Sequence, residues 1–81
     1  MRMNLNALFS AIDQRPFRPF ALSLTSGERI EVPHPDNIFV LPSRQIVHHL
    51  EVYKAGTWEF SIIYPEAVAA LHFNGERMGL A

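Results

Sequence analysis

The stretch that decides the fold is residues 20–41, FALSLTSGERIEVPHPDNIFVL. Apolar residues at 20–24 alternate with small or polar ones, and this period of two places apolar side chains on one face of a strand. Gly27 then supplies a tight turn, because glycine reaches positive φ without steric cost. The alternation resumes at 30–32, so the sequence predicts a β-hairpin with one solvated face.

Further strands are predicted downstream of this hairpin. A Pro-rich bend leads to a short apolar strand at 38–41, followed by a longer strand at 45–53 and, after a hairpin loop, another at 58–63. On the 45–53 strand the better core face contains Ile46, His48, Leu50 and Val52.

Residues 65–73 allow two interpretations. Pro65 favours a single helical turn, after which 69–73 would form the last short strand. One continuous helix over 65–73 is the alternative, and helix propensity alone slightly favours it.

An amphipathic helix is expected before the hairpin. Asn4 is a good N-cap, and Leu5, Leu8, Phe9 and Ile12 recur at helical spacing, which predicts a helix at about 5–13 that covers the sheet. The prolines of residues 14–19 exclude a helix there and predict an extended arm. Its arginines and phenylalanines could contact phosphates and bases, or the phenylalanines could close a core edge while the arginines stay solvated.

The composition indicates one small domain. The chain has 81 residues, of which 1–73 are expected to form the domain and 74–81 a flexible tail. There is no cysteine, so the fold must rest on packing, with partner chains as one way to complete a small core. The net charge of −1 does not favour a dedicated nucleic-acid binder. No secretory signal or membrane-spanning run is evident, so a cytoplasmic protein without a membrane partner is expected.

Catalytic and metal chemistry are not predicted. Adjacent residues of a strand point to opposite faces, so His48 and His49 are not expected to chelate a metal together. The sequence contains no nucleophile-elbow motif, and its glycines are too scattered for a phosphate-binding loop. We therefore predict a protein that is not an enzyme and has no catalytic residue, cofactor or metal.

Four stretches of the sequence, namely residues 6–8, the apolar strand ending at Gly27, residues 36–41 and residues 64–70, together resemble the motifs of the Sm-like barrel family, and more closely those of its bacterial Hfq-like RNA chaperones. Residues 6–8, the apolar strand ending at Gly27 and residues 36–41 are similar to the first Sm motif, and 64–70 is similar to the second. The similarity covers about residues 6–71 and implies a mainly β fold with a short N-terminal helix. That fold would be an Sm-like (SH3-type), five-stranded, strongly bent antiparallel barrel.

The RNA-binding positions of that family are changed in this sequence. A lysine and a histidine of the second motif and an aromatic residue of the first hold RNA there, and the corresponding positions are Pro65, Glu66 and Ile38. A carboxylate in place of a cationic donor repels phosphate, so the uridine pocket is not expected to function. The opening Arg-Pro-Phe-Arg-Pro-Phe at 15–20 also resembles small uncharacterised bacterial proteins with an Arg-Pro-Phe-x-Pro-Phe sequence, which implies no activity.

Two functions follow as hypotheses. The first is a non-enzymatic assembly module that forms homo-oligomers through strand edges carrying Trp58, Phe60, Ile62, Ala69 and Leu71. The alternative is an RNA-binding protein of Hfq-like fold with a non-standard surface, made of Arg15, Arg18, Asp36, Asn37 and Ile38. A small-molecule sensor or an enzyme subunit is a third possibility.

Overall fold

The computed structural model describes residues 5–73 and is mainly β, with a single α-helix in that range. The elements are α1 (Leu5–Asp13), β1 (Phe20–Leu24), β2 (Arg29–Val32), β3 (Ile38–Pro42), β4 (Val47–Tyr53), β5 (Phe60–Ile63) and β6 (Val68–Phe73). Short 3-10 turns at Pro35–Asn37 and Pro65–Ala67 precede β3 and β6. The predicted helix is confirmed, whereas its expected N-cap at Asn4 and the expected flexible tail at 74–81 lie outside the described residues. Of the two interpretations of 65–73, the turn followed by a strand is correct.

The strands form two antiparallel sheets of three strands each. Their orders are β2-β1-β6 and β3-β4-β5. The resemblance implied five strands. The structure has six in its described part, because the 3-10 turn at Pro35–Asn37 separates β2 from β3. Within residues 5–73 no strand pairing joins the two sheets, so a closed barrel is not established.

The predicted hairpin is confirmed as β1 and β2. Phe20 pairs with Val32 and Leu22 with Ile30, and Gly27 in the connecting turn has φ of +94°. This conformation is readily accessible to glycine and costly for a residue with a Cβ atom. On its other side β1 pairs with β6, so Phe20 also lies opposite Phe73.

The core lies between the two sheets and under α1. Phe20 is fully buried, and its ring centroid is 5.8 Å from that of Phe17 and 6.2 Å from that of Phe73. The helix contributes Leu8, Ala11 and Ile12 to this core, as its apolar stripe predicted. Its remaining buried members come from the strands: Leu22, Val32, Ile38, Leu50, Val52, Ile63 and Val68.

A β-bulge changes the inward-facing set of β4. Leu50 and Val52 are buried as predicted, but Leu41 pairs with His49 and Pro42 with Val47, which leaves His48 as an extra residue. Val47 therefore packs against the core. His48 and Ile46, which the sequence placed on the core face, are exposed, because simple alternation does not extend through a bulge.

An ion pair ties the end of α1 to the turn between β3 and β4. Arg44 donates from Nη1 to Oδ2 of Asp13 at 2.6 Å and from Nη2 to Oδ1 at 2.8 Å. The guanidinium of Arg44 also lies 5.0 Å from the ring centroid of Phe9. These hydrogen bonds lower the pKa of Asp13 and raise the pKa of Arg44 from their ordinary values.

We predict that the contribution of this ion pair to stability is lost in acid. Because the folded-state pKa of Asp13 lies below its unfolded value of 3.8, the contribution is complete above that value and disappears as the pH falls through the folded pKa. Asp13→Asn should therefore lower the melting temperature at pH 7 and lower it less at an acidic pH below 3.8, as measured by circular dichroism. Glu59→Gln, which removes a carboxylate at an exposed position before β5, is the control. An equal effect of Asp13→Asn at both pH values would contradict the prediction.

Truncation of the central aromatic side chain should nearly unfold the domain. Phe20→Ala removes a fully buried ring and should cost about 3–5 kcal/mol, against roughly 4–12 kcal/mol of stability for a chain of this length. Urea unfolding of the variant measures this loss. Phe60→Ala, at a position that is 48% exposed, should cost less than Phe20→Ala, although it removes the stacking of Phe60 on Tyr53. Similar losses in the two variants would show that the core is not centred on Phe20.

Candidate functional site

Strand β5 has an open edge and carries exposed apolar side chains. Phe60 is 48% and Ile62 is 53% exposed, and within the described chain β5 pairs only with β4. Trp58, predicted to begin this strand, lies in the loop before it and is 91% exposed. The predicted assembly residues of this segment are therefore accessible, although Trp58 is not part of the strand edge.

Strand β6 provides a second open edge. It pairs with β1, and no other described strand lies on its free side. The predicted assembly residues Ala69 and Leu71 lie on this strand, where Ala69 is exposed and Leu71 is half-buried. The register with β1 shifts between Ser23 and Leu24, opposite the beginning of β6.

The candidate RNA-binding residues fall into two neighbouring segments. The ring of Phe17, in the arm, lies 6.4 Å from the imidazole of His34, which caps the 3-10 turn containing Asp36 and Asn37. In the arm, Arg15 donates to the backbone oxygen of Gln14 at 2.8 Å. The arm and the turn are thus brought together.

The side chains of this group differ in accessibility. The Arg18 guanidinium lies 4.4 Å from the ring centroid of Phe73. Asp36 is exposed, and the Asp36 backbone N–H donates to Nδ1 of His34 at 3.1 Å. Ile38 is only 6% exposed and belongs to the core, so its side chain is not accessible to a nucleic-acid base.

A carboxylate surrounded by aromatic rings lies on the outer face of the β3-β4-β5 sheet. We use "outer face" for the side chains of Phe39, Glu51, Tyr53, Phe60 and Ile62. Glu51 is on the middle strand and pairs with Phe39 on one side and Ile62 on the other, while Tyr53 pairs with Phe60. The rings of Tyr53 and Phe60 stack at 4.9 Å, and Phe39 meets Tyr53 edge-on at 5.6 Å.

The carboxylate of Glu51 has two polar neighbours, both on its own strand. His49 Nε2 lies 3.4 Å from Oε2 of Glu51, and the hydroxyl of Tyr53 donates to Oε1 at 3.4 Å. These are long contacts, which leave the carboxylate weakly satisfied. The Glu51 side chain keeps 23% of its surface exposed, so a ligand can still reach it.

The bulge in β4 brings two histidines together at one end of the outer face. Nδ1 of His48 and Nδ1 of His49 are 2.8 Å apart, and both rings meet Tyr64 edge-on. The prediction that these histidines point to opposite faces is therefore wrong, because the extra residue breaks the alternation. No group of three or more potential metal ligands occurs among residues 5–73.

A cleft of about 600 Å³ separates β2 from the hairpin that joins β4 and β5. Ile30, Val52 and Phe60 form its apolar lining. Its rim carries both signs of charge, including an ion pair between Arg29 Nε and Glu31 Oε2 at 2.7 Å. The cleft therefore does not select a ligand by charge.

The sequence predicted that the apolar residues of β5 form an assembly surface, but it did not predict the site around Glu51. The period of two already placed His49, Glu51 and Tyr53 on one side of β4. What it did not show was which residues of β3 and β5 lie opposite them, since strand register is a property of the folded sheet.

Comparisons with protein-family models, with curated proteins and with solved structures found no match. In the part of the chain that the structure describes, no helix is both long and apolar enough to cross a membrane.

Proposed function

We propose that this protein is a non-enzymatic assembly module with an Sm-like arrangement of strands, in which β5 of one copy pairs with β6 of the next. The order of elements supports this proposal. The chain forms a helix, then a hairpin, then further strands after a bend, and finally a 3-10 turn before the last strand. This is the order of elements in Sm-like barrels, and the last strand pairs with the first.

The observation that carries the proposal is the pair of open edges on β5 and β6. An edge strand presents unpaired N–H and C=O groups, and monomeric proteins usually protect such edges with charges, prolines or covering segments. Strand β5 (Phe60–Ile63) contains no charged residue and no proline, and neither does β6 (Val68–Phe73) apart from the exposed His72. Pairing between copies would satisfy both edges at once.

The contact is head-to-tail. Strands β5 and β6 are different surfaces, so their pairing is heterologous, and any open row of copies keeps one free β5 edge and one free β6 edge at its two ends. Repetition of such a contact produces a ring when the rotation between copies closes. Light scattering coupled to size-exclusion chromatography, with native mass spectrometry, measures the subunit count. A strict monomer at micromolar concentration would overturn the proposal.

A lysine on the β5 edge should disrupt the assembly. Ile62→Lys places a charge on the strand that would pair with the next copy, and charged edge residues oppose strand addition. We expect the subunit count to fall, with at least about a tenfold rise in the concentration needed for association.

Phe39→Lys is the matched control for this experiment. Phe39 is 47% exposed, close to the value for Ile62, and lies on the same face but on β3, at the opposite edge of the sheet. The control should assemble as the unmodified protein does, and circular dichroism should show that both variants are folded. Equal loss of assembly in both variants would place the contact on the sheet face and would exclude pairing through β5.

RNA binding is a second candidate, supported by the contact between Phe17 of the arm and His34 of the turn. If this surface binds RNA, filter binding should show salt-dependent association with single-stranded RNA, because phosphate contacts release counterions. The Arg15→Ala, Arg18→Ala double variant should weaken it about tenfold or more. Arg29→Ala, a distant exposed arginine, is the control. Absence of binding at low salt would exclude this function.

A further inference from the structure

We propose that the outer face of the β3-β4-β5 sheet binds an arginine side chain of a partner protein. The guanidinium would approach the carboxylate of Glu51 and lie against the aromatic rings of Phe39 and Tyr53. This site centres on Glu51 of the middle strand β4, whereas the proposed assembly uses the backbone edges of β5 and β6, so it goes beyond the proposed assembly even though Phe60 and Ile62 of β5 border both surfaces.

The charge of the outer face favours a cationic ligand. Glu51 is the acidic side chain at its centre, and apolar residues flank it on both neighbouring strands. Within residues 5–73 no lysine or arginine forms an ion pair with Glu51, whose neighbours are His49 and Tyr53. A half-buried carboxylate in apolar surroundings gains more from a cation than an exposed one does, because solvent screens the interaction less.

The arrangement of the aromatic rings favours a planar guanidinium over an ammonium group. Tyr53 stacks on Phe60 with an interplanar angle of 25°, Phe39 stands at 78° to Tyr53, and the Tyr53 hydroxyl reaches Glu51, so this cluster of rings adjoins the carboxylate. Aromatic faces attract cations. A planar guanidinium can stack on a ring while it donates two hydrogen bonds to a carboxylate, and an ammonium cannot do both.

The same protein already binds one of its own arginines in this way. Arg44 lies over the ring of Phe9 and donates two hydrogen bonds to Asp13. The outer face presents the same two components, an aromatic ring and a carboxylate, in a position that no described arginine occupies.

The occupant is assigned to a partner protein on charge complementarity, since the four described arginines already have contacts within their own chain; Arg2 and Arg77 lie outside the described residues, and dilution of the protein without peptide tests them. Arg15 binds backbone oxygens, Arg18 lies over Phe73, and Arg29 and Arg44 are in ion pairs with Glu31 and Asp13. A second copy would have to break one of these contacts before it could supply a guanidinium from its described residues. An arginine in an exposed segment of another protein has no such cost.

The test is a titration of the isotopically labelled protein with two short peptides, followed by nuclear magnetic resonance. One peptide is Ac-Gly-Ser-Arg-Ser-Gly-amide, and the other has citrulline, the neutral isostere of arginine, at the central position. The arginine peptide should shift the signals of Phe39, Glu51, Tyr53 and Phe60 in a saturable way. The citrulline peptide should bind at least about tenfold more weakly, since it lacks the charge.

Variants of the protein locate the site. Glu51→Gln should weaken binding of the arginine peptide about tenfold and abolish the preference over citrulline, while Glu59→Gln, with the same charge change at an exposed position before β5, should not. Tyr53→Leu keeps the carboxylate and should weaken binding about threefold or more through loss of the ring. Circular dichroism establishes that each variant is folded.

Several results would overturn the proposal. Equal affinities for the two peptides would show that the face does not recognise charge. An unchanged affinity in Glu51→Gln would place the contact elsewhere, and a lower affinity in Glu59→Gln would indicate a general effect of net charge. Shifts of the same signals on dilution without peptide would identify the face as an interface between copies.

Discussion

The pairing of β1 with both β2 and β6 is the constraint on which the rest of the structure depends. It joins an early hairpin to the last strand of the described chain, and it places Phe20 between Val32 and Phe73. This arrangement encloses the Phe20 ring from both sides, and α1 covers the same core with Leu8 and Ile12. Since the chain has no cysteine, packing of this kind has to hold the small domain together.

The same constraint determines which surfaces stay open. Because β6 returns to β1 and not to β5, β5 and β6 each pair on one side only within residues 5–73. These two edges, on β5 and β6, belong to different sheets and are rich in apolar residues. If copies associate through these edges, the backbone N–H and C=O groups that are unpaired in one copy become hydrogen-bonded in the assembly.

The outer face of the second sheet has a different origin. The inward side chains of β4 are needed for the core, so alternation directs Glu51 and Tyr53 outward, where Phe39 and Phe60 from the adjacent strands meet them. The bulge at His48 ends this regular pattern and places His48 and His49 side by side next to Tyr64. The outer face therefore combines a cluster of three aromatic rings with the carboxylate of Glu51.

How much could be predicted from the sequence depends on the range of the interaction concerned. The helix, the β1–β2 hairpin and the turn at Gly27 follow from spacing and glycine conformation, which are properties of neighbouring residues. Prediction failed at the β4 bulge and was undecided at 65–73, where helix propensity competes with pairing to β1. The alternation on β4 predicts that the side chain of Glu51 lies on the other face of the strand from Leu50 and Val52. It does not predict that Phe39 and Ile62 lie beside Glu51.

By itself, then, the sequence determined a mainly β chain with one covering helix, because side-chain periodicity and turn chemistry act over a few residues. Only the tertiary structure decided that β6 pairs with β1, that Ile38 is buried while Phe39 is exposed on the strand that the sequence predicted to be well buried, and that an acidic aromatic surface forms on the second sheet. These features depend on strand register and on contacts between distant segments, which are settled by burial of the whole core at once and not by any local pattern.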